Sequence, residues 1–120
     1  MFDLMQYLKR QREFSRHAFG PGQHTAGLID HIRKELIEVE RAPRDLKKWI
    51  DVATLALDGA WRAGYSENEI CEQLDATLTR NEGRTWPDWR TSDPNKAIEH
   101  DRTKDPTFYP RGGAHPYGEG

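Results

Sequence analysis

Trp49-Ile50-Asp51-Val52-Ala53-Thr54-Leu55-Ala56-Leu57-Asp58-Gly59-Ala60-Trp61 is apolar on nearly every side, and this stretch decides the fold. A solvated helix carries Lys, Glu and Gln on its outer face, whereas a helix that is apolar all round is buried against other helices. Two aspartates interrupt the pattern. Asp51 and Asp58 lie two helical turns apart and therefore share a face. A buried carboxylate without a partner protonates or destabilises the fold, so each of them requires a cation, a hydrogen-bond donor or a metal ion. The bases nearest in sequence, Lys47, Lys48 and Arg62, stand at the ends of the helix.

The segment before it repeats the theme. In Lys34-Glu35-Leu36-Ile37-Glu38 the two glutamates project from adjacent turns of one helix face. Facing helices that turn carboxylates inward are one way in which helical bundles hold divalent metals. Taken singly, each acidic residue also has a plainer reading. Glu35 and Glu38 could be solvated and paired with Lys34 or Arg41, Asp51 could belong to a buried salt bridge, and Asp58-Gly59 could mark a local bend.

Around this centre the chain reads as four helices. The first covers about residues 2 to 16, with Phe2, Met5, Leu8 and Phe14 at helical spacing, and Gly20-Pro21-Gly22 breaks it. The second runs from Thr25, an N-cap candidate, to Arg41, with Leu28, Ile32, Leu36 and Val39 as its core stripe and Ile37 on the other side. Pro43 ends it, and Asp45 or a neighbour opens the third helix, which stops at Gly64. Ser66 with Glu69 forms a capping box for a fourth helix to about Asn81, with Ile70, Leu74 and Leu78 on one stripe. Residues 1–83 therefore read as a helical core. After Gly83 the periodicity fades, apart from a short helix expected around Asn95 to Arg102. Trp86, Trp89, Phe108, Tyr109 and Tyr117 are too apolar for a free linker, so residues 84–120 read as an arm packing on the core or on a neighbouring subunit.

Composition narrows the function. With 120 residues the chain makes one small domain, and a net charge of −2 without a basic block speaks against nucleic acid as partner. Membrane insertion is not expected either, because no apolar run approaches a transmembrane span, and Met1-Phe2-Asp3-Leu4-Met5 does not read as a signal peptide. A single cysteine, Cys71, cannot form an internal disulfide, and a cytoplasmic location in a bacterium or phage-infected cell is expected. The third helix is apolar on more sides than one layer of neighbours covers, which points to a homo-oligomer.

Longer segments carry a resemblance. Glu35-x-x-Glu38 followed by Asp51-Val52 resembles the metal motif of the MazG-like all-α nucleoside triphosphate pyrophosphohydrolases, usually Glu-x-x-Glu then Glu-x-x-Asp. Phe19-Gly20-Pro21-Gly22, His31 to Leu36, Trp49 to Val52, Leu57 to Gly64, Arg84 to Arg90 and Ile98-Glu99-His100 resemble its phage and bacterial dATP/dGTP diphosphohydrolase branch, which includes the MazZ-like enzymes of phages that use diaminopurine. The similarity spans about residues 10 to 102. One position departs from the pattern, because Lys48 stands where the third acidic residue belongs.

The resemblance implies a four-helix MazG-like fold, a dimer or tetramer, and Mg²⁺ or Mn²⁺ held by Glu35, Glu38 and Asp51. Asp58 joins them as a fourth ligand on the buried-stripe argument. Hydrolysis of dGTP, and possibly dATP, to the monophosphate and pyrophosphate is the implied reaction, with Glu35, Glu38 or Asp51 taking the proton of the attacking water. Lys34, Arg62, Arg80 and Lys96 are the candidate phosphate cations. Ser15, Phe19 and His24, near the turn between the first two helices, are the candidates for holding the purine. A different class of function remains open at this point: a helical interaction or structural module of a phage, in which Asp51 and Asp58 pair with Arg84 or Arg90.

Overall fold

The computed structural model describes residues 1–104, and the described chain is all-helical, without strands: α1 (Leu4–Phe19), α2 (Thr25–Arg41), α3 (Leu46–Arg62) and α4 (Glu67–Glu82), followed by the single 3₁₀ turns Trp89–Thr91 and Arg102–Lys104. Two compact units divide the chain, Met1–Asp75 and Ala76–Gly120, with the border inside α4. The shift in composition at Gly83 coincides with the end of α4.

Local chemistry sets the helix ends. Asp3 caps α1 by accepting the Gln6 N–H at 3.3 Å. The chain then leaves the helix through Gly20 and Gly22, whose φ angles of 85° and 88° belong to the region that side chains disfavour. His24, not Thr25, occupies the N-cap of α2, and it makes no capping hydrogen bond from its side chain. Asp45 caps α3 through the Lys47 N–H, and Gly64, at φ 106°, turns the chain out of it. The Ser66/Glu69 box opens α4 as expected, each side chain accepting the other's backbone N–H at 3.1 Å.

Helix α3 packs against both α2 and α1. The turn at 42–45 makes α2 and α3 antiparallel, and two contacts give their register: Lys48 faces Glu38, and a Cβ on Gly59 would come within 3.0 Å of Leu28 Cδ2. Gly59 lets the helices approach closely there. Interpolating between those contacts sets Glu35 level with Asp51 and Val52. The α2 seam runs through Leu28, Ile32, Glu35 and Val39, steps of four, three and four residues. Leu36, expected in the core, is 44% exposed, whereas the Glu35 side chain retains only 20% of its surface. A seam advancing in that rhythm selects position 35 over position 36, whatever the side chain there.

Helix α1 departs from expectation in the same way. Phe2 precedes the helix and Phe14 faces outward, both largely exposed. Its inward positions are Leu4, Leu8, Gln11 and Ser15, so the second half of its seam is polar. Among the described residues the buried apolar side chains are Leu8, Val39 and Ile70. Leu74 and Leu78, expected to extend the α4 stripe inward, are exposed, as are Ile37, Leu46, Trp49 and Ile50.

In the second unit, Trp86 donates its indole N–H to the Asn81 carbonyl at 2.7 Å and meets the His100 ring edge-on at 5.6 Å. The Asp101 N–H closes this loop on the Thr85 carbonyl at 2.7 Å. No helix forms at Asn95 to Arg102. Instead Asp93 accepts the Asn95 N–H on its side chain and the Lys96 N–H on its carbonyl, an Asx turn that competes with helix formation. Phe108, Tyr109, Tyr117 and the glycine-rich end lie outside the described residues. No helix among those residues is long and apolar enough to cross a membrane.

Candidate functional site

The α2–α3 seam carries the expected carboxylates. Glu35 is turned inward, its Oε1 lies 3.6 Å from His31 Nε2, and its Oε2 is buried without a hydrogen-bond partner. Asp51 is half-buried on the opposing helix. Glu38, one turn further, sits between two cations, Arg41 at 3.8 Å and Lys48 at 3.7 Å. Lys48 therefore brings a positive charge to the place where the family pattern has an acid.

Among the described residues no three His, Cys, Asp or Glu side chains stand close enough to enclose an ion as they are. The residues nonetheless suit a divalent metal. A buried carboxylate oxygen with no donor is costly, and a cation would satisfy it. An all-oxygen set of Glu35, Glu38 and Asp51 matches the preference of Mg²⁺ or Mn²⁺.

Asp58 and Arg62, expected as metal ligand and phosphate cation, satisfy each other. Arg62 Nε donates to Asp58 Oδ2 at 2.9 Å, and the Arg62 side chain keeps only 4% of its surface. Its Nη1 donates to the carbonyls of Gly20 at 3.0 Å and Gly22 at 2.8 Å, and its Nη2 donates to Ser15 Oγ at 2.8 Å. Asp58 Oδ1 accepts the Trp61 indole N–H at 2.6 Å, and the Trp61 ring stacks under the guanidinium at 4.4 Å. Burial pushes the Asp58 carboxyl up, but the hydrogen bonds of Ser15, Arg62 and Trp61 and the charge of Arg62 outweigh it and hold the group below its ordinary 3.8. The cation serving Asp58 thus comes from its own helix one turn on. Arg84 donates to Asn81, and Arg90 pairs with Asp88 while lying over the Trp89 ring.

Beside this knot lies a cavity of about 180 Å³, lined by Phe19, His24, Leu28, His31, Leu55 and Asp58 with Gly27 and Arg62. Phe19 and His24, expected at the purine, do line it. Ser15 does not, because it is buried beneath Arg62 and bonded to it. His31 belongs both to the cavity wall and to the Glu35 pair, so the cavity abuts the carboxylate seam.

Three candidate cations remain. Lys34 is exposed and pairs with Asp30 at 3.2 Å. Arg80 and Lys96 belong to the second unit, Arg80 half-buried on α4 and Lys96 exposed in the loop. Gln11 escaped the sequence reading. Its Nε2 donates to the Thr54 carbonyl at 2.7 Å across the α1–α3 seam, and its Oε1 is buried without a partner. The signal was present in the spacing, since Leu4, Leu8, Gln11 and Ser15 follow the four-three-four rhythm with polar residues in the last two places.

No curated protein and no solved structure gives a significant match to the chain. A family model for dATP/dGTP pyrophosphohydrolase, however, matches residues 7–105, a span that holds α1 from Tyr7 onward, the whole of α2, α3 and α4, the carboxylate seam, the Asp58–Arg62 knot and the adjoining cavity. A match over most of the chain, on a helical fold of the expected kind, leads to one conclusion: this chain belongs to the dATP/dGTP pyrophosphohydrolase family.

Proposed function

We propose that the protein hydrolyses purine deoxynucleoside triphosphates, dGTP and also dATP, to the monophosphate and pyrophosphate, with Mg²⁺ or Mn²⁺ and as a homo-oligomer. The observation that carries this reading is a small cavity one of whose walls, His31, also pairs with the inward Glu35 carboxylate. At about 180 Å³ it accommodates a nucleobase but not a whole nucleotide, whose sites run to roughly 300 Å³ or more. The base would lie against Phe19 and between Leu28 and Leu55. The triphosphate would then continue past His31 onto the α2–α3 seam.

There Glu35, Glu38 and Asp51 would hold the metal ion. When bound, that ion supplies Lewis acidity toward the phosphoryl oxygens and makes water acidic enough to attack. One of the three carboxylates accepts the proton of the water as its oxygen bonds to the α-phosphorus, and the bond to the bridging oxygen breaks to release pyrophosphate. Lys48, already beside Glu38, offsets part of the negative charge of the seam. Exposed Ile37, Leu46, Trp49 and Ile50 form apolar surface of the kind that a second copy covers, which supports the oligomer. A role in phage purine metabolism, including diaminopurine genomes, is the cellular context that this chemistry fits.

The test is hydrolysis of the canonical dNTPs and NTPs in H₂¹⁸O with Mg²⁺ or Mn²⁺, followed by mass spectrometry. The expected products are pyrophosphate and an ¹⁸O-labelled purine deoxynucleoside monophosphate. Orthophosphate with dGDP would place the attack at the γ-phosphorus and overturn the reading.

A further inference from the structure

Arg62 is the most thoroughly engaged side chain of the helical unit. Its guanidinium reaches Asp58 on its own helix, Ser15 on α1, and the carbonyls of Gly20 and Gly22 in the loop that leads to α2. Those carbonyls point inward because Gly20 and Gly22 both adopt positive φ. Phe19 and His24, which wall the cavity, flank the same loop. Four of the five guanidinium N–H groups are committed at 2.8 to 3.0 Å and the fifth, on Nη2, reaches the Ser15 carbonyl at 3.4 Å, so the fork has no direction left for a phosphate.

We infer that Arg62, anchored by Asp58, is a positioning residue for the purine: it pins the Gly20-Pro21-Gly22 loop so that Phe19 and His24 close one wall of the base cavity, and it makes no contact with the triphosphate. This rests on the cavity being the base site of the proposed hydrolase. Arginine suits the task because its planar fork addresses several acceptors at fixed angles, which a lysine ammonium cannot do. Asp58 stays ionised at neutral pH and keeps the fork oriented. Neither residue approaches the reacting phosphorus.

The inference separates the two halves of the substrate, so calorimetric titration with two probes tests it: deoxyguanosine for the base, and Mg²⁺-tripolyphosphate for the phosphates. Arg62→Gln should weaken deoxyguanosine by about tenfold or more, the loss expected when charged hydrogen bonds are removed. Tripolyphosphate affinity should stay within about twofold of wild type, and the loss for dGTP should fall on KM more than on kcat. Ser15→Ala leaves the Asp58–Arg62 ion pair and the backbone acceptors in place but removes the hydroxyl that serves both residues, so it should shift deoxyguanosine in the same direction by a smaller factor even if Arg62→Gln fails to fold. Equal weakening of both probes would make Arg62 a phosphate ligand or a general scaffold residue and overturn the inference. Unchanged deoxyguanosine binding in Ser15→Ala would overturn it too, with the hydrolase reading intact if wild type still cleaves dGTP. A wild type that neither cleaves nor binds purine nucleotides would remove both readings.

Discussion

Replacing Asp58 by alanine should be the most damaging single truncation of a charged side chain in the helical unit. The variant leaves the Arg62 guanidinium, 4% exposed, without its carboxylate, and the Trp61 N–H without its acceptor. Breaking one partner out of a buried pair costs about 3–5 kcal/mol, because the remaining charge is neither solvated nor paired. The lost indole hydrogen bond would add about 1 kcal/mol if it were independent. The two overlap, since Trp61 also stacks on Arg62 at 4.4 Å, so a total of about 4 kcal/mol is expected. For a domain of this size that corresponds to a fall in Tm of roughly 15 °C. Circular dichroism melts at one fixed protein concentration measure it, because oligomerisation would make Tm depend on concentration. Asp58→Ala combined with Arg62→Met should recover a large part of the loss, since no buried charge is then left alone. A melt of Asp58→Ala within about 3 °C of wild type would show that Arg62 does not depend on Asp58, and the knot would lose its energetic meaning.

The same carboxyl makes stability pH-dependent: its folded pKa lies below its ordinary value, so its contribution is present above about pH 4 and is lost as pH falls through the folded pKa. Acid titration of stability should therefore show the gap between wild type and Asp58→Asn closing below about pH 4, and a gap that widens with acid would reverse the sign and refute the assignment. Glu38→Gln and Asp51→Asn should each remove most hydrolysis while keeping the helices, and Glu35→Gln should also melt no lower than wild type in EDTA, because it neutralises a buried oxygen that lacks a donor. Full activity in all three would move the metal elsewhere. Ile50→Glu should shift the protein to a smaller species in light scattering, since Ile50 is half exposed and a buried interface does not tolerate an unpaired charge; an unchanged mass would clear α3 of a role in assembly.

Much of the architecture follows from local rules that the sequence states by itself. The glycine–proline break, the Asp45 cap and the reciprocal Ser66/Glu69 box depend on residues within a few positions of one another, and the helix ends appear where those residues require them. The apolar character of α3 likewise identified the central helix. Even the family is written in short motifs, because each one serves a local turn or one helix face.

What each side chain touches was decided in three dimensions. Periodicity alone placed Leu36 in the core and left Phe14 there too, yet the seam that α3 imposes selects Glu35, Gln11 and Ser15. Asp58 and Arg62 lie one turn apart, which makes their pairing conceivable, but the other acceptors of Arg62 come from α1 and from the loop after it, 40 to 47 positions upstream. No spacing rule foresees that convergence. A guanidinium takes whatever acceptors the packed helices bring within about 3 Å, and only the way α1, its following loop and α3 meet brings these together, turning an expected phosphate cation into the pin of a loop.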